Sequence, residues 1–515
     1  MSTSRVPTAS QRISRPVYTR SLHLGPFPRP NIMSSSLEEK GGGKNSTDND
    51  SISVYERPKG LRGVYYHPIT QIVMVAFVCF LCPGMFNALT GLGGGGQVDP
   101  TTSANSTCAV YATYAFFAFF SGTVNNKIGT KRTLLFGTLG YALYVSSYLA
   151  INIHPDAGWF VVTSGALLGV TAAFLWTAQG AMMLSYCTEA QKGIFISIFW
   201  AIFNLGAVVG ATVSFGQNIH STNNRASNGT YVGILVLTLL GVTIPLLMAD
   251  PNKMIRTDGT RVVMPRHPSW KSEFHGLWVA IITDPMILLL FPMFFASNYF
   301  YTWQFNDYNS ALFNIRARSL NNFMYWLSQI IGSGMIGVVL DSKRLRRRVR
   351  AFTGWGILLV MTFTVHIWAY YYQRTYTRAS IPIDSQKMDI YDTGYPAHVW
   401  LMIFYGLLDA MWQTTSFWLI GAMSNDTNKL AIYAGFYHSI QSAGAAGVWR
   451  MDAIGLPYMN IFLSTWCLVV AGLVFAFPMI YLRIRDTTVL EDEGLMQRDQ
   501  EINDTRAKGM IESGN

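Results

Sequence analysis

The feature that most constrains this chain is a series of twelve apolar runs, each long enough to cross a bilayer as a helix. A transmembrane helix needs about 20 mainly apolar residues. Half of the 515 residues are hydrophobic and 13% are charged, whereas soluble domains carry about 25% charged residues. The pattern predicts an all-α membrane protein and argues against a soluble or disordered chain. The predicted spans are 69–91, 107–125, 133–152, 159–184, 193–215, 231–249, 277–303, 319–340, 351–372, 397–423, 430–449 and 457–482.

Basic residues in the connections predict the orientation of the chain. With a cytosolic N-terminus, the inner connections carry 16 Lys and Arg and the outer ones carry 7, which places both termini in the cytosol. The net charge of +10 is therefore interpreted as a topogenic signal, and no nucleic-acid partner is expected. The sequence favours an integral protein of the plasma membrane or an endomembrane. In this topology Asn105 and Asn228 begin glycosylation sequons in outer connections, so a glycoprotein is expected.

Five segments are predicted along the chain. Residues 1–68 form a disordered cytosolic tail, and residues 483–515 form a second cytosolic tail. Residues 69–249 and 277–482 form two six-helix bundles, related by pseudo-symmetry. Residues 250–276 form a cytosolic loop between the bundles.

The N-terminal tail has two interpretations. Residues 1–37 are rich in Arg and Ser and contain no acidic residue, which is typical of a mitochondrial transit peptide. Against this, Met33 begins a segment that would suit a cytosolic start, and prolines at 26, 28 and 30 interrupt an amphipathic helix. A disordered tail is favoured, and translation of residues 1–32 stays an open question.

A short pattern repeats at the predicted inner ends of spans 2 and 8. Gly122 is followed four residues later by Asn126, and Gly337 is followed at the same spacing by Asp341. A small residue one turn before a helix end permits close packing, and the basic residues that follow anchor the loop in the cytosol. The repeat indicates an internal duplication. The predicted gating loops comprise Gly122, Asn126, Lys127, Gly129, Lys131 and Arg132 in the first set, and Gly337, Asp341, Lys343 and Arg344 in the second.

The first of these turns resembles the loop signature of the major facilitator superfamily, with Asn126 where that superfamily usually has Asp. Further stretches resemble the fungal branch of the uncoordinated-93-like family within it, over about residues 60–485. Those stretches are Pro83–Gly96, Trp176–Gly180, Phe199–Gly206 and Asn298–Asn306. The resemblance implies two halves that rock about a central cavity to give alternating access. From animal members of the narrower family it implies regulatory roles, as channel subunits and receptor-trafficking chaperones.

Polar side chains inside the spans are candidate solute- or ion-binding groups, because they are costly in hydrocarbon. Asp409 is the only acidic residue well inside a predicted span, and Gln413 lies on the same helical face one turn later. Burial favours the neutral form of a carboxyl, so Asp409 is a candidate for reversible binding of a proton or cation. The further candidates are Trp176, Gln179, Asn204, His438, Gln441 and Asn87. For each residue the alternative is a packed, hydrogen-bonded structural role.

Two backbone features accompany these candidates. The pair Pro83 and Gly84 is expected to break or bend span 1 near its outer end, as is common near transporter sites. The run Gly93–Gly96 is interpreted as a flexible outer connection and not as a phosphate loop, because no Lys follows it. At the inner side, Asn126 and Asp341 are expected to accept hydrogen bonds near the N-termini of spans 5 and 11 and so to hold a gate closed.

The sequence therefore favours a secondary transporter or facilitator for a small solute, with proton coupling through Asp409 as one form of it. No Walker sequence, nucleophile elbow, Rossmann fingerprint or metal-ligand cluster occurs, so neither an enzyme nor a cofactor or metal site is expected. The alternative is a non-transporting protein that regulates or escorts another membrane protein. The expected partners are the lipid bilayer, an unknown small-molecule solute and, for the alternative, another membrane protein.

Overall fold

The computed structural model describes residues 55, 58–97, 99–187, 191–262, 270–342, 344–424 and 427–484. The predicted tails lie almost wholly outside these residues, as does Lys343 of the second gating loop. The described chain is helical, with two isolated β-bridges that join Ile255 to Arg261 and Phe313 to Met388. The fold class is therefore all-α, as the apolar runs predict.

The α-helices follow the apolar runs closely. In chain order they are α1 (Leu61–Tyr65), α2 (Pro68–Leu81), α3 (Pro83–Gly91), α4 (Thr101–Ile128), α5 (Thr130–Ile153), α6 (Gly158–Tyr186), α7 (Lys192–Asn218), α8 (Asn228–Leu247), α9 (Trp270–Thr283), α10 (Phe291–Ala296), α11 (Ile315–Leu340), α12 (Arg347–Gln373), α13 (Tyr395–Met423), α14 (Thr427–Ala453) and α15 (Tyr458–Arg483). Nine helical segments of the described chain are long and apolar enough to cross a bilayer, or ten if one bent pair counts as a span. The helices α13 and α14, with 29 and 27 residues, are equally long but are not among these nine.

The predicted span 277–303 is not one helix, which corrects the sequence interpretation. The helix axis bends by 96° between residues 275–283 and 285–296. The bend lies at Asp284, because a residue that precedes proline is disfavoured in the α-helical region, and Asp284 has φ −134° and ψ 75°. Beyond α10 the chain continues through a π-helix, Trp303–Ser310, so helical structure extends past the predicted end.

The predicted break at Pro83 is present in the structure. The helix α2 ends at Leu81 and α3 begins at Pro83, with Cys82 between them at φ −106° and ψ −76°. Next to the break, a Cβ added to Gly84 would lie 2.8 Å from the Cα of Gly206 in α7. The two glycines therefore let α3 and α7 cross with their backbones in contact.

Buried apolar side chains form two large clusters. One is built from residues 72–262 with Ile315, and the other from residues 287–484 with three alanines of the earlier helices. We call residues 68–250 the N-terminal part and residues 270–484 the C-terminal part. Between the parts, α4 packs against α14 and α7 packs against α11. The division into two six-helix bundles stays a prediction.

The helical bundle has two ends that differ in chemistry. We call the end that carries the connection Leu92–Gln97 the glycine-loop end. We call the end that carries the turns after α4 and α11, with their Lys and Arg residues, the basic-loop end. These names describe composition, and the assignment of either end to the cytosol stays a prediction.

Candidate functional site

Asp409 lies at the centre of a buried hydrogen-bond cluster in the C-terminal part. Its residue surface is 1% exposed, and it lies on α13 one turn before Gln413. The donors to its carboxylate are the hydroxyls of Tyr301 at 2.9 Å and Tyr325 at 3.0 Å, the amide of Gln329, and the amide of Gln413 at 2.8 Å. Three helical segments supply these donors. Tyr301 lies just before the π-helix, Tyr325 and Gln329 lie one turn apart on α11, and Gln413 lies on α13. The structure thus brings together the predicted pair Asp409 and Gln413 with three residues that the sequence did not single out.

The cluster can hold either a charge or a proton. Its donors are neutral, and no Lys, Arg or His among the described residues forms an ion pair with Asp409. An ionised carboxylate accepts up to about four hydrogen bonds, so the donors can satisfy it without a counter-ion. The hydroxyl of Tyr325 lies 2.9 Å from Gln304 Oε1 and 3.0 Å from Asp409 Oδ2. The hydroxyl of Tyr325 has one proton and can donate to only one of these two oxygens. The other contact is a hydrogen bond only if Asp409 is protonated and donates to the hydroxyl, or if the Gln304 amide is rotated so that its NH₂ group donates.

The candidates His438 and Gln441 form a separate small cluster on α14. Nδ1 of His438 lies 3.3 Å from Oε1 of Gln441, and the amide of Gln441 donates to Asn298 at 2.9 Å. Asn298 is three residues before Tyr301, so the irregular segment after α10 supplies groups to both clusters. No hydrogen bond between described residues joins His438 directly to Asp409. The two clusters are therefore neighbours along one segment and not one site.

The candidates of the N-terminal part lie apart from Asp409. Trp176 and Gln179 on α6, Asn204 on α7 and Asn87 on α3 are all half-buried. The ring of Trp176 packs edge-on against Phe203 with centroids 5.5 Å apart. Within the described chain, no hydrogen bond links these four residues to the Asp409 cluster. Their solute-binding role stays a prediction.

The predicted gating residues lie at the basic-loop end. Gly129 has φ +85°, which glycine adopts without strain, and Lys131 donates to the main-chain oxygens of Leu246 at 3.1 Å and Met248 at 2.6 Å. Lys131 thus caps the C-terminal end of α8, where a positive charge is favourable. Asp341 is exposed at the end of α11, and its carboxylate forms no hydrogen bond or ion pair with the described residues. The remaining positions have the following exposure: Gly122 is buried, Gly337 is half-buried, and Asn126, Lys127, Arg132 and Arg344 are exposed.

At the glycine-loop end, buried polar contacts join the N-terminal part to the C-terminal part. We call this set of contacts the closure, and the sequence analysis missed it. Arg318 of α11 is fully buried, and its guanidinium inserts among main-chain oxygens of the N-terminal part. The acceptors are Leu92 O at 2.8 Å, Asn224 O at 2.9 Å, Gln97 O at 3.2 Å and Gly93 O. A guanidinium has five N–H donors in a rigid fork, which suits a cage of carbonyls. Arg318 therefore fastens the two parts together.

The glycines at this end are held in place, which corrects their interpretation as a flexible connection. Gly93, Gly94, Gly95 and Gly96 all have positive φ, between 53° and 82°. A Cβ on Gly93 would lie 1.9 Å from the main-chain oxygen of Phe305, and one on Gly95 would lie 2.0 Å from the ring of Tyr148. The segment is glycine-rich because its backbone conformation and close neighbours exclude side chains.

Three asparagines complete the closure from the C-terminal part. Asn322 donates to Ala88 O at 2.7 Å, and Asn309 donates to Gly91 O at 3.0 Å. Asn306 accepts from the main-chain N–H of Gly94 at 2.7 Å. All these bonds are polar, so they can be exchanged for bonds to water when the parts separate.

Both sequon asparagines are already hydrogen-bonded within the fold. Asn105 lies within α4 and accepts from Arg450 at 2.7 Å, and Asn228 accepts from the amide of Asn152 at 2.7 Å. A glycan on either side chain would have to displace these bonds. Glycosylation stays a prediction, and the structure does not favour it.

Comparison with known proteins gives the same fold. A family model described as "Ion channel regulatory protein UNC-93" matches residues 94–480. The chain is 45% identical over 445 residues to the UNC93-like protein C922.05c of Schizosaccharomyces pombe, covering 85% of this chain and 88% of that protein. It is 37% identical over 424 residues to the UNC93-like protein 1 of Arabidopsis thaliana, covering 81% and 91%. Among solved structures it is similar to the xylose transporter XylE of E. coli in a partially occluded inward-open conformation, with a TM-score of 0.56 at 13% identity, covering 83% of this chain and 100% of that one.

Proposed function

We propose that this chain, which belongs to the UNC-93 family and is similar in fold to a xylose transporter, is a secondary transporter or facilitator for a small polar or amphipathic solute. In this proposal α2 with α3 forms the first of twelve spans, and α13 and α14 form the tenth and eleventh. Two six-helix halves, with both termini in the cytosol, rock to expose a central site alternately to each side.

The observation that carries the proposal is the polar closure between the parts at the glycine-loop end. Each part has its own apolar core, and the bonds of Arg318 and Asn322 that join them end on main-chain oxygens. A permanent interface would be expected to be largely apolar, whereas polar contacts can be broken and remade in water. At the basic-loop end the predicted latch residue Asp341 is exposed. This arrangement suits a molecule that closes at one end and opens at the other.

Asp409 is the proposed solute- or proton-binding residue. It is buried among four neutral donors, one of which is the hydroxyl of Tyr301 close to the segment that closes on the N-terminal part. Reversible protonation of Asp409 would change the number of donors that the cluster can use. Movement of Tyr301 would then link the state of the carboxyl to movement of the segment that contacts Gly94.

Uptake into proteoliposomes tests this proposal. Labelled sugars, amino acids and alkali cations are offered with and without a pH gradient, to the wild type and to Asp409→Asn. We expect at least one solute to accumulate and Asp409→Asn to reduce its uptake about tenfold or more, the factor that corresponds to about 1.4 kcal/mol. The matched control is Asp389→Asn, which removes a partly exposed carboxylate 3.6 Å from Arg316, and it should leave uptake unchanged.

A second candidate function is regulation of another membrane protein. The matching family is described as an ion channel regulatory protein, and this description favours a partner of the channel class. For that function Asp409→Asn should be harmless, while substitutions of exposed apolar residues such as Trp159 and Val338 should disrupt a complex. No uptake of any solute, together with copurification of a membrane protein that is lost in the Trp159→Ala variant, would favour regulation over transport.

A further inference from the structure

Two buried carboxyls, of Asp307 and Asp452, lie close together at the glycine-loop end, away from Asp409. Asp307 belongs to the π-helix Trp303–Ser310, and Asp452 lies near the end of α14. Arg378, in the connection after α12, places Nη2 at 2.5 Å from Asp452 Oδ1 and 3.8 Å from Asp307 Oδ1. Both carboxyls are buried, with exposed fractions of 0% for Asp307 and 4% for Asp452. The two acids therefore face one guanidinium nitrogen in an enclosed space.

Asp307 lacks the partners that an ionised carboxylate requires. Both of its oxygens are buried, and neither accepts a hydrogen bond from any described residue. Arg378 at 3.8 Å is beyond hydrogen-bonding distance, and the hydroxyl of Tyr376 donates to the main-chain oxygen of Asp307 instead. Buried polar groups are normally satisfied, and an uncompensated buried charge is far more costly than a neutral one. The geometry fits a neutral Asp307.

The charges around the pair lead to the same conclusion. Among the described residues, Arg378 is the one cation that forms ion pairs with Asp307 and Asp452, while Lys387 donates to the main-chain oxygen of Ser310 on the same π-helix. The phenol of Tyr376 donates to the main-chain oxygen of Asp307, and the ring of Tyr458 lies 4.2 Å from the guanidinium carbon. Two carboxylates and one guanidinium leave one negative charge over. One proton on Asp307 restores neutrality. A metal ion fits less well, because the guanidinium occupies the facing position and the described residues hold no group of three metal-ligating side chains.

The pair connects directly to the closure between the parts. Asp452 uses its second oxygen, Oδ2, to accept from the amide of Asn306 at 2.7 Å. Asn306 in turn accepts from the main-chain N–H of Gly94 at 2.7 Å. A continuous chain of polar contacts therefore runs from Arg378 through Asp452 and Asn306 to the glycine segment of the N-terminal part.

We propose that Asp307 and Asp452 form a proton-binding site that holds one proton when the glycine-loop end is closed, and that loss of this proton opens that end. With Asp307 protonated, Arg378 pairs with Asp452 alone and fixes it as the acceptor for Asn306. When the proton leaves to solvent, Asp307 becomes charged beside the same guanidinium and draws Arg378 away from Asp452. The contact through Asn306 to Gly94 then weakens. Use of this proton in a transport cycle rests on the proposed function, whereas proton-linked closure does not.

Distance measurements between spin labels test the proposal without any solute. Thr222 and Thr393 are exposed at the glycine-loop end of the two parts, and each is replaced by Cys for labelling. The background carries Cys108→Ser and Cys467→Ser, since the other three cysteines are buried. The closed form binds more protons, so raising the pH should favour the longer distance. For one linked proton, the ratio of open to closed populations rises up to about tenfold per pH unit.

Substitutions separate the pair from other acids. Asp307→Asn mimics the protonated form, so its distance distribution should stay closed at every pH. Asp389→Asn is the matched control, because it removes a carboxylate from the same end with no link to Asn306, and it should keep the wild-type pH response. A wild-type distribution that does not change between about pH 5 and pH 9, the range in which coupled buried carboxyls titrate, would overturn the proposal. So would an Asp307→Asn variant that opens at high pH as the wild type does.

A second measurement needs no distance change and covers the case in which Asp307→Asn fails to fold. Infrared difference spectra of the wild-type protein at low and high pH should show a buried carboxylic-acid band that is lost on raising the pH. The band should persist in Asp409→Asn, which assigns it to a carboxyl other than Asp409. Its absence from that variant would reject a proton on the Asp307 and Asp452 pair, and would leave the proposed role of Asp409 in transport intact.

Discussion

The two ends of the molecule differ in where their polar groups make contacts, either across the two parts or within one part. At the glycine-loop end a single buried guanidinium and three asparagines contact the main chain of the opposite part. At the basic-loop end the charged groups lie at the surface, and Lys131 caps a helix of its own part. The difference shows that the more charged end is not the more tightly joined one. A few desolvated hydrogen bonds hold the parts together better than many hydrated charges.

The largest expected effect is that of Arg318→Ala. Removal of the guanidinium takes a donor away from four main-chain oxygens, and of these Gly93 O keeps a second donor, the main-chain N–H of Gly96 at 2.9 Å. Breaking a buried charged network typically costs about 3 to 5 kcal/mol. We expect a loss of this size in the free energy of unfolding, measured by thermal unfolding in detergent. The control is Arg374→Ala, which removes an exposed guanidinium stacked over Tyr371 and should cost less than about 1 kcal/mol. Equal effects of the two variants would mean that the closure adds no stability.

A pair of glycine substitutions should give an intermediate effect that differs between the ends. Gly95 and Gly129 both have positive φ, at +59° and +85°. A Cβ added to Gly95 would lie 2.0 Å from the ring of Tyr148, whereas a Cβ added to Gly129 would have no neighbour within 4 Å. Gly129→Ala should therefore cost about 1 to 3 kcal/mol for the backbone alone, because φ +85° with ψ 150° is a conformation that is nearly confined to glycine. Gly95→Ala should cost about 1 to 3 kcal/mol more because it overpacks the contact. Thermal unfolding of the two variants side by side provides the measurement, and a smaller loss for Gly95→Ala would contradict the packed interpretation of this segment.

The smallest effect is expected for Asp341→Asn at the basic-loop end. The carboxylate is exposed and forms no hydrogen bond with the described residues, so the unfolding midpoint should correspond to a change within about 0.5 kcal/mol. Solute uptake by the same variant sharpens the comparison. Unchanged stability with reduced uptake would place the predicted latch in a conformation closed at the basic-loop end. Unchanged uptake as well would mean that Asp341 holds no gate.

Hydropathy predicts helix positions well in this chain because apolar length is a local property. The run 133–152 corresponds to α5 at Thr130–Ile153, and the run 351–372 corresponds to α12 at Arg347–Gln373. The prediction is wrong for 277–303, where Asp284 before a proline bends the chain and helical structure continues into a polar segment. The length of an apolar run does not predict a helical segment whose residues are polar but buried.

The candidate site is only partly accessible from the sequence. Asp409 is identifiable as an acid deep in an apolar run, and Gln413 follows from helical spacing. The donors Tyr301, Tyr325 and Gln329 depend on how three segments rotate against one another, which no local pattern encodes. They are distinguished only by being polar groups at the ends or on the inner faces of predicted spans.

Arg318 and Asp307 were missed for a related reason. Arg318 was counted among the basic residues of an outer connection, and Asp307 lies four residues beyond the predicted end of a span. A usable signal is present in the sequence, since four consecutive glycines in one part and a cluster of asparagines around Arg318 in the other are unusual in flexible connections. Glycine allows both signs of φ, however, so the run alone does not distinguish a rigid segment from a mobile one.

Substitutions in the two parts should affect the hydrogen bonds of Arg318 unequally. Four of its hydrogen bonds end on main-chain oxygens, of Leu92, Gly93, Gln97 and Asn224. An alanine scan of the N-terminal part would leave every one of these oxygens in the chain, whereas a single codon change in the C-terminal part deletes all the donors at once. Side-chain changes at Leu92 and Gln97 therefore keep the acceptors of Arg318, although they alter the core contacts of Leu92 and the side-chain hydrogen bonds of Gln97, whereas variation among natural sequences should be scarce at position 318.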